Sequence, residues 1–285
     1  KPLLFPTIEA DPPYCYRCPL NLRFPSCEIA CMDPIERIMR TRGHELAGVI
    51  IEPLVQAAAG MITAPRGYLK RIRNLCTEHN VLMIADEVAT GFGRTGKMFA
   101  CQHEEVTPDL MAISKGITGG YMPLAATLAT EQVYAAFRGK FEELKTFFHG
   151  HSYTGNQLGC AVALANLEVF RKERTLLRLR PKIAAMTRLF QSMTSLRHVG
   201  DIRQQGFMGG IELVKNRRTK EPYPLTMRMG HRVAQEPRRR GLLPRPLGNV
   251  LVLMPPLATS VPTLTRMVTL LRQSIEQVTD TQAQP

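Results

Sequence analysis

The sequence predicts an α/β chain in two parts: a mainly parallel sheet with its helices, then a small C-terminal α+β unit. Three observations carry this expectation. Short apolar runs, VLMIA at 81–85 and DLMAIS at 109–114, are bounded by turn residues in the manner of buried strands. Ahead of the first run, Gly67–Asn80 repeats apolar residues at helical spacing through Leu69, Ile72, Leu75 and Cys76. A strand–helix–strand order of this length favours parallel pairing with a right-handed crossover. From about Glu173 the pattern shifts to a basic, mostly helical stretch and then to two strand-like runs, His198–Arg203 and Phe207–Val214, as expected of a second, smaller sheet. The division predicted is residues 1–172 and residues 173–285.

Taken in order, residues 1–32 are rich in proline and cysteine and read as an extended, irregular segment. Asp33-Pro34 opens a helix with proline at its first position and Ile35, Ile38 and Met39 on one face, ended by Gly43. Leu46–Ile51 is a strand, followed by Glu52-Pro53 and a close-packed loop through Gln56 and Ala57–Gly60. After the two central runs, Pro123–Thr130 reads as another strand, Glu131–Arg138 as a short helix and Gln157–Lys172 as a long one. In the second part Pro181 is expected to start a fresh helix. Thr226–Arg240 is helical in pattern, but Pro237 inside it should kink it or end it early, at a cost of about 3 kcal/mol in a helix interior. Asn249–Met254 is a strand and Val261–Val278 the final amphipathic helix.

Composition excludes some function classes. With 285 residues, 44% of them hydrophobic, the chain can bury a sizeable core. No apolar run approaches membrane-span length, and the first residues carry no signal-peptide pattern. The net charge of +13 raises the question of a nucleic-acid partner. Its basic residues are scattered in clusters at Arg171–Arg180, Lys215–Lys220 and Arg238–Arg240, without Trp or a nucleic-acid-binding signature, as on a solvated basic surface. Neither a nucleic-acid nor a membrane partner is expected. Seven cysteines point to a reducing cytoplasm. Four of them, Cys15, Cys18, Cys27 and Cys31, follow a C-x2-C-x8-C-x3-C pattern. Thiolates so spaced can hold zinc or an iron–sulfur cluster. The loop between the pairs is short, and buried inert cysteines are common. Both readings stay open, and no metal is assigned.

The chemistry-bearing pair is Asp86 and Lys115. Each ends an apolar run, and in open α/β sheets ligands bind outside the carboxyl ends of the strands. A lysine amine there can condense with the aldehyde of pyridoxal 5'-phosphate (PLP), and a carboxylate can keep the cofactor's ring nitrogen protonated. The plain alternative is a structural ion pair at a strand edge. GFGRTG at 91–96 is no dinucleotide fingerprint, because the acid precedes it and the G-x-G-x-x-G order at a helix start is missing.

ADEVATGFGRTG (85–96) followed by SKGITGG (114–120) resembles the cofactor site of class III (ω-type) aminotransferases, a branch of the fold-type-I PLP enzymes. The stretch from Gly91 to Thr130 and FFHGHSYTGNQLGCAVAL (147–164) are most similar to the members that aminate 8-amino-7-oxononanoate to 7,8-diaminononanoate in biotin biosynthesis. The likeness covers nearly all of the chain. It implies a fold-type-I transferase with PLP held by Lys115 and Asp86, His151 and Ser152 on the cofactor phosphate, Gly150 against substrate, and Arg245 gripping the distal carboxylate of the oxononanoate. Ser152 stands where the family more commonly has threonine and keeps the hydroxyl. The resemblance further implies a homodimer with shared active sites and S-adenosylmethionine or lysine as amino donor. Another ω-amino acid or diamine aminotransferase using pyruvate or 2-oxoglutarate is the second reading. Against the family, an N-terminal portion is expected to be missing, including part of the phosphate-binding loop and an aromatic that stacks on the ring.

Overall fold

A computed structural model describes residues 5–280; residues 1–4 of the expected irregular segment and the last five residues lie outside it. The irregular segment is borne out over the described part of residues 5–32, which holds only two single turns of 3₁₀ helix, Cys15–Arg17 and Ala30–Met32. Helix α1 (Asp33–Arg42) starts with its proline in the first turn and buries Ile35 and Met39. Strand β1 (Gly48–Ile51), the short antiparallel pair β2 (Val55–Gln56) and β3 (Ile62–Thr63), helix α2 (Tyr68–Glu78) and β4 (Leu82–Asp86) follow. Helix α2 buries Leu69, Ile72 and Cys76, three of the four residues that predict it.

Strand β5 (Leu110–Ile113) and β6 (Ala126–Ala129) complete a four-stranded sheet in the order β1-β4-β5-β6. The first three strands are parallel, and β6 runs antiparallel to β5 as an edge. Helices α3 (Glu131–Ala135), α4 (Gln157–Lys172) and α5 (Thr175–Gln191) come next. Pro181 does not start a helix: it lies inside α5. Proline removes the N–H that would bond the carbonyl of Leu177. Both residues are solvent-exposed, so water can take that carbonyl, while Leu179, Ala185, Met186 and Phe190 keep the helix seated.

A second sheet holds β7 (Val199–Gln205), β8 (Met208–Asn216), β9 (Glu221–Pro222), β10 (Arg245–Leu247) and β11 (Val250–Leu253), ordered β10-β11-β8-β7 with β9 on β8, all antiparallel. Helix α6 (Met229–Gln235) ends early, as expected, and Pro237 falls in the first turn of a 3₁₀ segment, where a proline displaces no hydrogen bond. Helix α7 (Val261–Asp280) closes the described chain.

Two apolar clusters sit behind the two sheets. One joins α1, α2 and the parallel strands through Met39, Leu69, Ile72, Met83 and Ala85. The other joins α5, α6 and α7 to the antiparallel sheet through Met186, Phe190, Ile211, Val233 and Leu271. Among the described residues no helix is long and apolar enough to cross a membrane.

Candidate active site

Asp86 is the last residue of β4 and pairs in register with Ala112 of β5. Lys115 follows β5 by two residues, so both groups stand at the carboxyl edge of neighbouring parallel strands. The Asp86 Oδ1 accepts the Val88 amide at 3.0 Å, which orients the carboxylate through its own turn. Lys115 has φ +44°, in the left-handed region that a lysine adopts only when its surroundings enforce it. No ion pair joins Asp86 to Lys115 among the described residues, so the plain structural ion pair is not what sets them here.

Four neighbours hold the lysine turn. A Cβ at Gly116 would lie 2.7 Å from Phe92 Cβ, which only glycine tolerates. The Ser114 hydroxyl donates to the Leu124 carbonyl at 2.8 Å and the Thr118 hydroxyl to that of Met122 at 2.7 Å. From α4, the Asn166 amide donates to the carbonyls of Gly116 and Ile117 at 2.9 and 3.1 Å. The role of Asn166 is not legible in the sequence, because it joins positions about fifty residues apart.

Glu87 has a second position that sequence reasoning missed. It is fully buried, and its carboxylate accepts the Thr90 hydroxyl at 2.6 Å and the amides of Ala100 and Cys101 at 3.0 and 2.8 Å. A buried carboxylate with several donors is satisfied rather than reactive, and here it ties down both ends of the glycine loop. Burial pushes the Arg94 guanidinium below its ordinary value. Its Nη1 donates to the Pro255 carbonyl at 2.6 Å and its own carbonyl accepts the Phe207 amide at 2.8 Å, so the loop is fastened to the second sheet. Burial pushes the Cys101 thiol far up, with Glu87 adding to it.

The remaining candidates stand elsewhere. Gly150, His151 and Ser152 lie in an exposed turn ahead of α4. The His151 amide donates to the Thr154 hydroxyl at 3.0 Å, and His151 Nδ1 accepts the Tyr153 amide at 3.1 Å. The start of α4 is capped by Asn156, which accepts the Gly159 amide at 2.9 Å. Arg245 begins β10 on the edge of the second sheet, exposed, and its side chain makes no hydrogen bond or ion pair among the described residues. Glu52, at the end of β1, accepts the Ala57 amide at 3.0 Å and closes a turn. The structure thus sets Asp86 and Lys115 at the carboxyl ends of neighbouring parallel strands, and no hydrogen bond among the described residues joins the His151 turn or Arg245 to either.

Residues 5–275 match the model of the class-III aminotransferase family. The chain belongs to that family. Among class III aminotransferases it is 54% identical over 279 residues to the adenosylmethionine-8-amino-7-oxononanoate aminotransferase of Nitratidesulfovibrio vulgaris, covering 98% of this chain and 52% of that protein. The crystal structure of the enzyme of that name from Methanocaldococcus jannaschii superposes with a TM-score of 0.90 at 43% identity, over 97% of this chain and 61% of that one. An amine transaminase from an uncultivated Pseudomonas species, solved in its PLP-bound form, superposes with a TM-score of 0.85 at 34% identity, over 95% and 61%. The chain therefore spans about half to three-fifths of the length of these class III relatives. The fold is that of the fold-type-I transaminases: a mainly parallel sheet followed by a small α+β unit.

Proposed function

We propose that the protein acts as a PLP-dependent aminotransferase that converts 8-amino-7-oxononanoate to 7,8-diaminononanoate in biotin biosynthesis, taking its amino group from S-adenosylmethionine or lysine. The observation that carries this reading is Lys115, held in a left-handed turn at the carboxyl edge of the parallel sheet, after the strand that pairs with that of Asp86. The names of the relatives above support the acceptor, and that of the Nitratidesulfovibrio vulgaris protein supports adenosylmethionine as donor.

The residues present fit the family's cofactor. One Asp86 oxygen is held by the Val88 amide, and this carboxylate would hold the ring nitrogen of the cofactor. Lys115 is an exposed residue in a turn fixed by Asn166 and Phe92. Bound there, PLP supplies an electron sink for the carbon that loses its proton. Lys115 Nζ takes that proton and returns it, as general base and then general acid. Asp86 would pair with the ring nitrogen of the bound cofactor. The Arg245 guanidinium grips the acceptor's distal carboxylate in a two-pronged contact.

His151 and Ser152 are assigned to the cofactor phosphate, and Gly150 to the substrate, in the site of a second copy. Their exposed turn and the apolar side chains around it support a homodimer with shared sites. Phe147, Phe148, Tyr153, Leu158 and Leu164 are all exposed there, a patch of the kind that marks an interface. On this reading residues 1–172 are the cofactor-binding unit and 173–285 the small unit that carries Arg245. The proposed setting is the cytoplasm, in keeping with seven free thiols.

The test is borohydride reduction of the purified protein with PLP, followed by peptide mass spectrometry. A pyridoxyl adduct on Lys115 is expected; no adduct, or one confined to another lysine, overturns the assignment. In the active enzyme Arg245→Ala should raise KM for the oxononanoate roughly 10- to 100-fold, the worth of a charge-assisted contact, with little change for the donor.

A further inference from the structure

The loop that follows Asp86 touches both parts of the molecule. On one side Phe92 presses on the lysine turn: a Cβ at Gly116 would lie 2.7 Å from Phe92 Cβ and 3.0 Å from its Cδ2. Phe92 is 4% exposed and has φ +55°, and Lys115, next to Gly116, has φ +44°. Two residues with full side chains are thus held in the left-handed region where loop and turn meet. Such strain persists only where the surrounding packing enforces it.

The enforcement comes from the other side of the loop. The Arg94 Nη1 donates to the Pro255 carbonyl, on the chain between β11 and α7, at 2.6 Å. The Arg94 carbonyl accepts the Phe207 amide at 2.8 Å. The turn between β7 and β8 sits so close that a Cβ at Gly206 would lie 2.2 Å from the Thr95 carbonyl carbon. At Gly93 a Cβ would meet Leu176 of α5 at 3.1 Å and Leu257 at 3.3 Å.

Two further features separate this from ordinary loop packing. Arg94 is partly buried and makes no ion pair among the described residues. Burial alone pushes its guanidinium below its ordinary value. Withdrawing a cation from water without a counter-ion is unfavourable, so the position has been given to a rigid, planar donor where an apolar side chain would pack at lower cost. Glu87 meanwhile ties the chain on both sides of the loop, through Thr90, Ala100 and Cys101. With both ends fixed, a shift of the second sheet against the loop is taken up in its middle, at Phe92 to Thr95.

We infer that Arg94 is a positioning residue for Lys115, coupling the seating of the second sheet through Phe92 to the turn that carries the lysine. The second part of the chain is then a working element of the lysine site although it supplies none of the residues in that turn. The inference rests on the proposed function only for its effect on turnover; the coupling itself is read on the chain's own amides.

The experiment is hydrogen exchange on the purified full chain, alongside Arg94→Met, Arg94→Lys, Leu257→Ala and Val233→Ala. The reporters are the amides of Ile117, Gly119 and Gly120, which bond the carbonyls of Ser114, Gly116 and Lys115 within the turn. In Arg94→Met they should exchange about 10-fold faster or more. In the active enzyme kcat should fall about 10- to 100-fold with KM for both substrates within about twofold, because a displaced proton carrier costs rate and not binding. Arg94→Lys, whose ammonium can still donate to the Pro255 carbonyl, should recover most of both losses. Leu257→Ala thins the contact on Gly93 with Arg94 intact and should act in the same direction. Val233→Ala opens a cavity in the second core away from the loop, and should lower the melting midpoint while leaving the three reporters unchanged. Faster exchange confined to residues 91–96, reporters unmoved in both Arg94→Met and Leu257→Ala, or equal acceleration in Val233→Ala overturns the inference. A chain that shows the coupling but takes no pyridoxyl group on Lys115 overturns the proposed function instead.

Discussion

Replacing Arg203 by methionine should cost the protein a large part of its stability. Arg203 lies on β7 with its side chain 5% exposed and donates five hydrogen bonds. Two go to the carbonyls of Gly60 and Met61 beside the parallel sheet, at 2.8 and 3.1 Å. The others reach the Tyr14 hydroxyl at 3.0 Å, Asp201 at 2.7 Å and Glu212 at 2.6 Å. One guanidinium thus joins the irregular segment, the β2–β3 hairpin and the second sheet. Its loss leaves the nearly buried Glu212 with only Tyr14 and Arg17. Removing one partner of a buried ion pair costs about 3–5 kcal/mol. At about 2–4 °C per kcal/mol for a chain of this size, the melting midpoint should fall by roughly 6–20 °C. Circular dichroism melts and urea titrations of Arg203→Met measure it. The double variant Arg203→Met/Glu212→Leu should recover part of the loss, since it removes the buried anion as well. A single variant melting within about 2 °C of the parent, or a double variant that falls by the full sum, would refute the assignment of this network as a buried electrostatic clamp.

Three further outcomes are expected. Gly116→Ala places a Cβ 2.7 Å from Phe92, so the lysine turn must move; PLP retention on gel filtration should drop well before the melting midpoint does, and unchanged retention would contradict it. Asn166→Leu strips the donor from the Gly116 and Ile117 carbonyls, at about 1–3 kcal/mol; a weaker grip on PLP with α4 intact is the expected signature, read by fluorescence titration and far-ultraviolet dichroism. Burial works against the ionised form of Glu212, but bonds from Tyr14, Arg203 and Arg17 hold its carboxyl below the ordinary range. Its contribution is therefore complete above the usual glutamate pKa and is lost as pH falls through the depressed value. The urea midpoint should fall on acidification more steeply in the parent than in Glu212→Gln, and parallel curves would refute the role.

The elements most legible in the sequence are those whose cause is local. Proline at the start of α1, the helical spacing in Gly67–Asn80 and the apolar runs around β4 and β5 each depend on neighbours within a few residues. Pro237 is legible for the same reason, since a missing N–H acts on its own helix. The expectation for Pro181 fails because burial of Leu179, Met186 and Phe190 outweighs a local cost that solvent shares. Strand β10 is not legible, because Arg245–Leu247 is a strand only through its pairing with β11.

What the sequence determined by itself was the α/β class, the placement of Asp86 and Lys115 at one sheet edge, and the cysteine pattern, because strand ends and residue spacing are written along the chain. Tertiary structure alone decided what holds the lysine turn, since Asn166 and Phe92 reach Gly116 from other elements. It also decided that Arg203 and Glu212 form a clamp across three segments, and that four thiols of an irregular segment border one cavity. Those facts depend on distances between residues far apart in the chain, and such distances are set only when the chain packs.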